Sequence, residues 1–240
     1  MSAISFRRLI VLLIILLVLT SSRRVWAGET VFLLHGIANI PLSMKFLESR
    51  LKGAGYTVYN LGYPSTRVSI EDAAREVRQK VDALAGQDTV HFVAHSMGNL
   101  VARKALEGGL PHLGKMVMIA PPSRGSFAAQ RLHDLDIYRW VFGPAGQELP
   151  AQNIQFFEKL PLPPCPFGII AGGLGTEGGY NPLIPGDDDG TVSVEETKLS
   201  GASDMVVIRS THTLILFDEE TADQVISFLK TGRFQKPKSE

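Results

Sequence analysis

The stretch Ala94-His95-Ser96-Met97-Gly98 decides the fold. A mostly apolar run, Val90 to Ala94, leads into it, and a helix-like segment, Met97 to Leu106, leads away. A serine on a sharp strand-to-helix turn, with small residues two before and two after it, is the signature of a nucleophile elbow. At such a turn the flanking backbones nearly touch. Ala94 and Gly98 permit that approach, and larger side chains would clash. The turn lifts the Ser96 hydroxyl out of the sheet toward a cleft. There it is a candidate nucleophile rather than a buried polar group.

Outward from the elbow, strand-like and helix-like segments alternate from residue 30 to residue 231. Short apolar runs at 30–34, 56–59, 89–94, 115–120, 167–171 and 205–208 read as six strands. Ile70, Ala74, Val77, Val81 and Leu84 recur at helical spacing, with Ser69 as N-cap and Gly86 as stop. The last helix takes Asp218 as its cap, buries Ala222, Val225, Ile226 and Leu229, and ends at Gly232. Continuous apolar strands alternating with helices imply an α/β fold, a mostly parallel sheet covered on both faces. Residues 122–165 break the alternation with Phe127, Trp140, Phe142, Phe156 and Phe157 among prolines and charges. They read either as a lid or pocket wall, or as a pair of surface helices whose aromatics pack on the core.

The amino terminus is a separate matter. Arg7 and Arg8 precede an unbroken apolar run, Leu9 to Leu19, and Val25-Trp26-Ala27 fits a small-x-small cleavage site before Gly28. That pattern reads as a signal peptide over residues 1–27, leaving a single domain over 28–240. Arg23 and Arg24 lie between the run and the cleavage site, which keeps an uncleaved membrane anchor as the alternative. Either reading places the folded part outside the cytoplasm, periplasmic, secreted or tethered. Without residues 1–27 the chain has 20 basic residues against 24 acidic. A mildly acidic domain with no basic run is a poor nucleic-acid binder. The one cysteine, Cys165, has no partner for a disulfide within the chain and reads as structural.

A serine hydroxyl needs a base, a group that orients the base, and donors for the oxyanion that forms. Of the six histidines, His91 lies inside the elbow strand and His95 is expected to point away from the nucleophile. His212 follows the last strand directly, where a loop reaches back over the elbow, and is the candidate base. The acid is expected in Asp187-Asp188-Asp189-Gly190, with Asp189 turned inward and Asp187 and Asp188 facing solvent. Asp204 is the fallback. Clustered carboxylates also suit a calcium ion, but no EF-hand spacing is present. The oxyanion donors are expected at the backbone amides of Met97, at a helix start, and Ile37, after His35-Gly36. His35 reads as a structural hydrogen-bonding residue.

The order Ser96, Asp189, His212, with His35-Gly36-Ile37 upstream, resembles the α/β-hydrolases, and more narrowly the small bacterial lipases and esterases. Asp189-Gly190-Thr191-Val192 is similar to the segment that carries the triad acid in several bacterial lipases. The resemblance implies a minimal α/β-hydrolase fold lacking the usual two leading strands. It also implies hydrolysis of an acyl ester, small or lipid, through an acyl-enzyme, with no cofactor or metal. Hydrolysis at a membrane is compatible with the amino-terminal segment. Amides, thioesters and acyl transfer use the same triad, and a catalytically silent, ligand-binding relative is the alternative of a different class.

Overall fold

The computed structural model describes residues 28–235. The expected signal segment and the terminal Lys236-Pro237-Lys238 lie outside them. Six strands form one sheet: β1 (Glu29–Leu34), β2 (Thr57–Leu61), β3 (Thr89–His95), β4 (Leu113–Ile119), β5 (Phe167–Gly172) and β6 (Asp204–Ile208). Their order is β2-β1-β3-β4-β5-β6, and every pairing is parallel. All strand C-termini therefore lie along one edge. The order reverses at β1, and clefts form outside the strand ends at such switch points.

The helices are α1 (Lys45–Gly53), α2 (Ile70–Leu84), α3 (Gly98–Ala105), α4 (Phe127–Leu132), α5 (Asp136–Glu148), α6 (Ile154–Lys159), α7 (Val194–Thr197) and α8 (Glu219–Thr231). Side chains alternate across a strand, so each strand feeds both layers. Phe32, Leu34, Phe92, Met116 and Met118 pack against α2 and α3. Val31, Leu33, Val93, Val117 and Ile119 pack against α1 and α8. The helix ends follow the sequence signals. Ser69 accepts from the Asp72 amide at the start of α2, Asp218 accepts from the Thr221 amide at the start of α8, and Gly232 closes α8 at φ 75°. No helix among the described residues is long and apolar enough to cross a membrane.

Residues 122–165 form three helices, α4 to α6, rather than a pair. The segment is tied down by three charged side chains, two half-buried and one buried. Glu196 accepts from the Phe127 amide at 2.5 Å. Glu148 accepts from the Ile70 amide at 2.7 Å, so α5 caps α2. Arg103 of α3, almost fully buried, donates to the carbonyls of Leu160 and Pro161 at 2.9 and 2.8 Å. Burial pushes both carboxyls above their ordinary range, against the amides that favour the ionised form. Cys165 is partly covered here, and burial raises its thiol to about 12, so it stays protonated and inert.

Candidate active site

β3 ends at His95 and α3 begins at Gly98, so two residues make the whole turn. Ser96 stands between them at φ 53°. A non-glycine residue pays to sit in this left-handed region and is held there only when its surroundings demand it. Here the Ser96 amide donates to the Ile119 carbonyl at 2.9 Å, and Asn99 Nδ2 donates to the carbonyls of Ser96 and Ile119 at 3.0 and 3.1 Å. β4 and α3 thus pin the strained corner. Gly98 faces the backbone of β1: a Cβ there would lie 2.6 Å from the His35 oxygen and 2.8 Å from that of Leu34.

The structure brings Ser96, His212 and Asp189 together across 116 residues of chain. Ser96 Oγ lies 2.9 Å from His212 Nε2. His212 Nδ1 lies 2.7 Å from Asp189 Oδ2. The other Asp189 oxygen accepts from the Thr191 and Val192 amides at 3.0 and 2.8 Å, and the His212 amide donates to the Asp189 carbonyl at 2.8 Å. Asp189 is buried, while the His212 ring reaches the cavity. Gly172, the last residue of β5, makes room: a Cβ there would meet Asp189 Cβ at 2.7 Å. Gly190 turns the loop at φ 95°.

The neighbouring aspartates do not face solvent as expected. Asp188 is fully buried, and one of its oxygens accepts from the Asn181 and Gly190 amides at 3.0 and 2.6 Å. Asp187 is half-buried and accepts from the Leu174 and Gly175 amides at 2.7 and 2.9 Å. Short loops of exposed-looking acids hide this use, because their partners are main-chain amides that any sequence supplies. The three carboxylates answer three different sets of donors. Among the described residues no group of three or more His, Cys, Asp or Glu is arranged to hold a metal ion. Asp204 sits at the far edge of the sheet and accepts from the Met205 and Phe234 amides.

The amides of Ile37 and Met97 make no hydrogen bond among the described residues. Met97 precedes the first turn of α3, where the helix dipole favours negative charge. The Ile37 amide is aimed by its neighbour. His35 Nδ1 donates to the Gly36 carbonyl at 2.8 Å. In a planar trans peptide the C=O and the following N–H point opposite ways, so this bond turns the Ile37 N–H away from the His35 ring. Gly36 packs on Ser96, since a Cβ there would lie 3.0 Å from Ser96 Cβ. Tyr63 stacks on His35, ring centroids 4.4 Å apart, and its hydroxyl donates to the His35 carbonyl. Burial lowers the basicity of His35 and keeps it neutral.

His95, the last residue of β3, faces the site and not, as expected, away from it. Its ring turns toward His212: Nε2 lies 2.8 Å from the His212 carbonyl, and the two ring centroids are 4.7 Å apart. His95 closes β3, and its partner is a main-chain carbonyl on the distant loop after β6, which no residue type signals in advance. His91 faces the packed layer as expected and accepts from the Lys115 amide at 3.0 Å.

A cavity of about 520 Å³ opens above Ser96 and His212. The size falls within the range of small-molecule sites. Ile37 and Ala38 line one side, and Leu132, Tyr138, Phe142 and Leu149 of the 122–165 segment form an apolar wall.

The sequence matches the alpha/beta hydrolase family over residues 31–223. No curated protein sequence matches it. Solved structures with a similar fold include the mature form of Bacillus licheniformis lipase BlEst2, 16% identical, TM-score 0.64, covering 81% of this chain and 89% of that one. The metagenomic carboxyl esterase MGS0156 is 19% identical, TM-score 0.63, covering 80% of this chain and 68% of that one. The RedJ thioesterase of the prodiginine pathway in Streptomyces coelicolor is 13% identical, TM-score 0.55, covering 86% of each chain. Together the all-parallel sheet, the elbow at Ser96 and a family match across most of its length show that this chain belongs to the alpha/beta hydrolase family.

Proposed function

We propose that this chain is a serine hydrolase that cleaves carboxylic esters of apolar acids. The observation that carries the reading is the unbroken hydrogen-bonded line Ser96 Oγ, His212 imidazole, Asp189 carboxylate at the floor of an apolar cavity. Ser96 Oγ attacks the ester carbonyl carbon while His212 Nε2 takes its proton. The C–O bond to the alcohol breaks as the same proton passes to the leaving oxygen. Water then repeats the cycle on the acyl-enzyme and releases the acid. Asp189 holds His212 in the tautomer whose Nε2 accepts, and stabilises the imidazolium. The Ile37 and Met97 amides receive the oxyanion, each worth about 100–1000-fold in rate.

The leucines and aromatics of the 122–165 segment support an apolar acyl group, and the lipase and carboxyl esterase among the structural neighbours support an ester. The test is a fluorophosphonate probe followed by a panel of acyl esters of rising chain length. Labelling on Ser96 with ester turnover, both lost in Ser96→Ala, carries the reading. Turnover of thioesters or amides with inert esters would redirect it within the same triad. Absence of labelling in the folded protein would leave a ligand-binding relative.

A further inference from the structure

The far edge of the sheet carries an arrangement that catalysis does not use. The nitrogen of Gly28 donates to Asp88 Oδ1 at 2.9 Å. Thr30 Oγ1 donates to the other oxygen, Oδ2, at 2.8 Å. The Gly28 carbonyl accepts from the Thr89 amide at 2.9 Å, which fixes the nitrogen relative to β3. Gly28 fits because it is glycine: a Cβ there would meet all three carboxylate atoms of Asp88 at 3.0–3.2 Å. The carboxylate therefore closes over the start of β1. Asp88 has no Lys, Arg or His partner among the described residues, whereas its neighbour Glu29 faces His91 at 3.5 Å. A carboxylate gripped by two neutral donors and no cation has one charge unanswered.

The residue whose nitrogen Asp88 holds is also the one that follows Val25-Trp26-Ala27, the small-x-small site after the apolar run. We infer that Ala27–Gly28 is hydrolysed on export and that Asp88 is the receptor for the α-ammonium group so released. Hydrolysis adds water across the peptide bond, leaving a carboxylate on Ala27 and an ammonium on Gly28; the membrane-bound signal peptidase of the exporting cell supplies the catalysis. The Gly28 nitrogen then carries a full positive charge and three donors at the position where a single amide hydrogen already bonds Asp88. The processed end becomes an ion pair that ties β1 to the start of β3. β1 is six residues long, so this edge lies about 20 Å from the strand ends that carry Ser96. Processing therefore leaves the catalytic line untouched, and this inference does not depend on the reaction proposed above.

The test starts from the full chain expressed in a host that exports it. Intact mass and amino-terminal sequencing of the recovered protein should place Gly28 first. A different first residue, or an intact segment on the folded protein, would overturn the inference. The α-amine is then titrated by ¹³C reductive methylation and NMR. Its pKa should lie above the 7.7–8.0 of a free α-amine and return to that range in Asp88→Asn. Ester turnover should be equal in the two proteins. Equal α-amine pKa values would overturn the inference. Should Asp88→Asn fail to fold, acetylation of the Gly28 amine in the wild type serves instead. A lower melting temperature at neutral pH carries the inference, and an unchanged one overturns it.

Discussion

The ring of His95 holds the main chain of His212, with Nε2 2.8 Å from the His212 carbonyl oxygen. A carbonyl only accepts, so the hydrogen is on Nε2. Burial, and secondarily the facing His212, keeps the His95 imidazole well below its ordinary range and therefore neutral. His95 Nδ1 is buried without a partner among the described residues. A residue beside Ser96 thus fixes the loop that carries His212. His95→Leu is expected to lower kcat about tenfold, the rate equivalent of one lost buried hydrogen bond, with KM little changed. His95→Gln should recover most of that rate, because its side-chain amide reaches the same carbonyl. Equal kcat in the leucine and glutamine variants would reject this role.

Asp189→Asn tests which way His212 is protonated. One Asp189 oxygen already serves the Thr191 and Val192 amides, and both are donors. In the variant the amide oxygen must stay with them, which leaves the NH2 facing His212 Nδ1. Nδ1 then accepts, Nε2 carries the hydrogen, and the Ser96 proton has nowhere to go. The expected loss is about 10⁴-fold in kcat, as for the equivalent change in other triads, with little change in melting temperature. A loss of under tenfold on a chromogenic ester would argue against Asp189 as the orienting acid.

The elbow, the six strands and the candidate residues that gather around Ser96 are legible in the sequence because each has a local cause. Ser96 is flanked by small residues, β1 and β3 are apolar runs, and His212 follows a strand directly. What was not legible depends on distant partners. His95 meets a carbonyl 117 residues away, and Arg103 clamps carbonyls 57 and 58 residues away. Asp188 is polar in sequence yet fully buried, because the Asn181 and Gly190 amides answer it. The three helices of 122–165 were obscured for a related reason: α5 kinks at Gly143, where φ is 57° and Pro144 follows, so its apolar spacing breaks midway.

Gly98 is expected to tolerate no side chain. The Cβ of Gly98→Ala would fall 2.6 and 2.8 Å from main-chain oxygens of β1 and its following loop, which have little freedom to retreat. The nearer one belongs to His35, the carbonyl that Tyr63 holds, so moving it also moves the Ile37 amide. Stability should fall by about 1–3 kcal/mol, and kcat by more than tenfold. Gly53→Ala is the control, since nothing lies within 4 Å of that position. Urea melts and steady-state kinetics on the two variants check this. Identical behaviour would mean that the elbow is looser than its contacts imply.

Glu48 gives the fold a dependence on acid that is separate from catalysis. It accepts from Lys52 at 2.7 Å, Lys45 at 2.9 Å and Asn60 at 3.1 Å, joining α1 to β2. Lys52 foremost, then Lys45 and Asn60, hold its carboxyl at about 2, below the ordinary 4.5, against the opposing effect of burial. The unfolded chain takes up this proton first as pH falls. The contribution of Glu48 is therefore complete above about pH 5 and is lost as pH drops through 4.5 toward 2. Glu48→Gln should melt below the wild type at neutral pH, and the gap should close near pH 2. Both lysines are largely exposed, so the gap is expected to shrink in high salt as well. A difference in melting temperature that stays constant from pH 7 to pH 2.5 would assign the effect to packing rather than to charge.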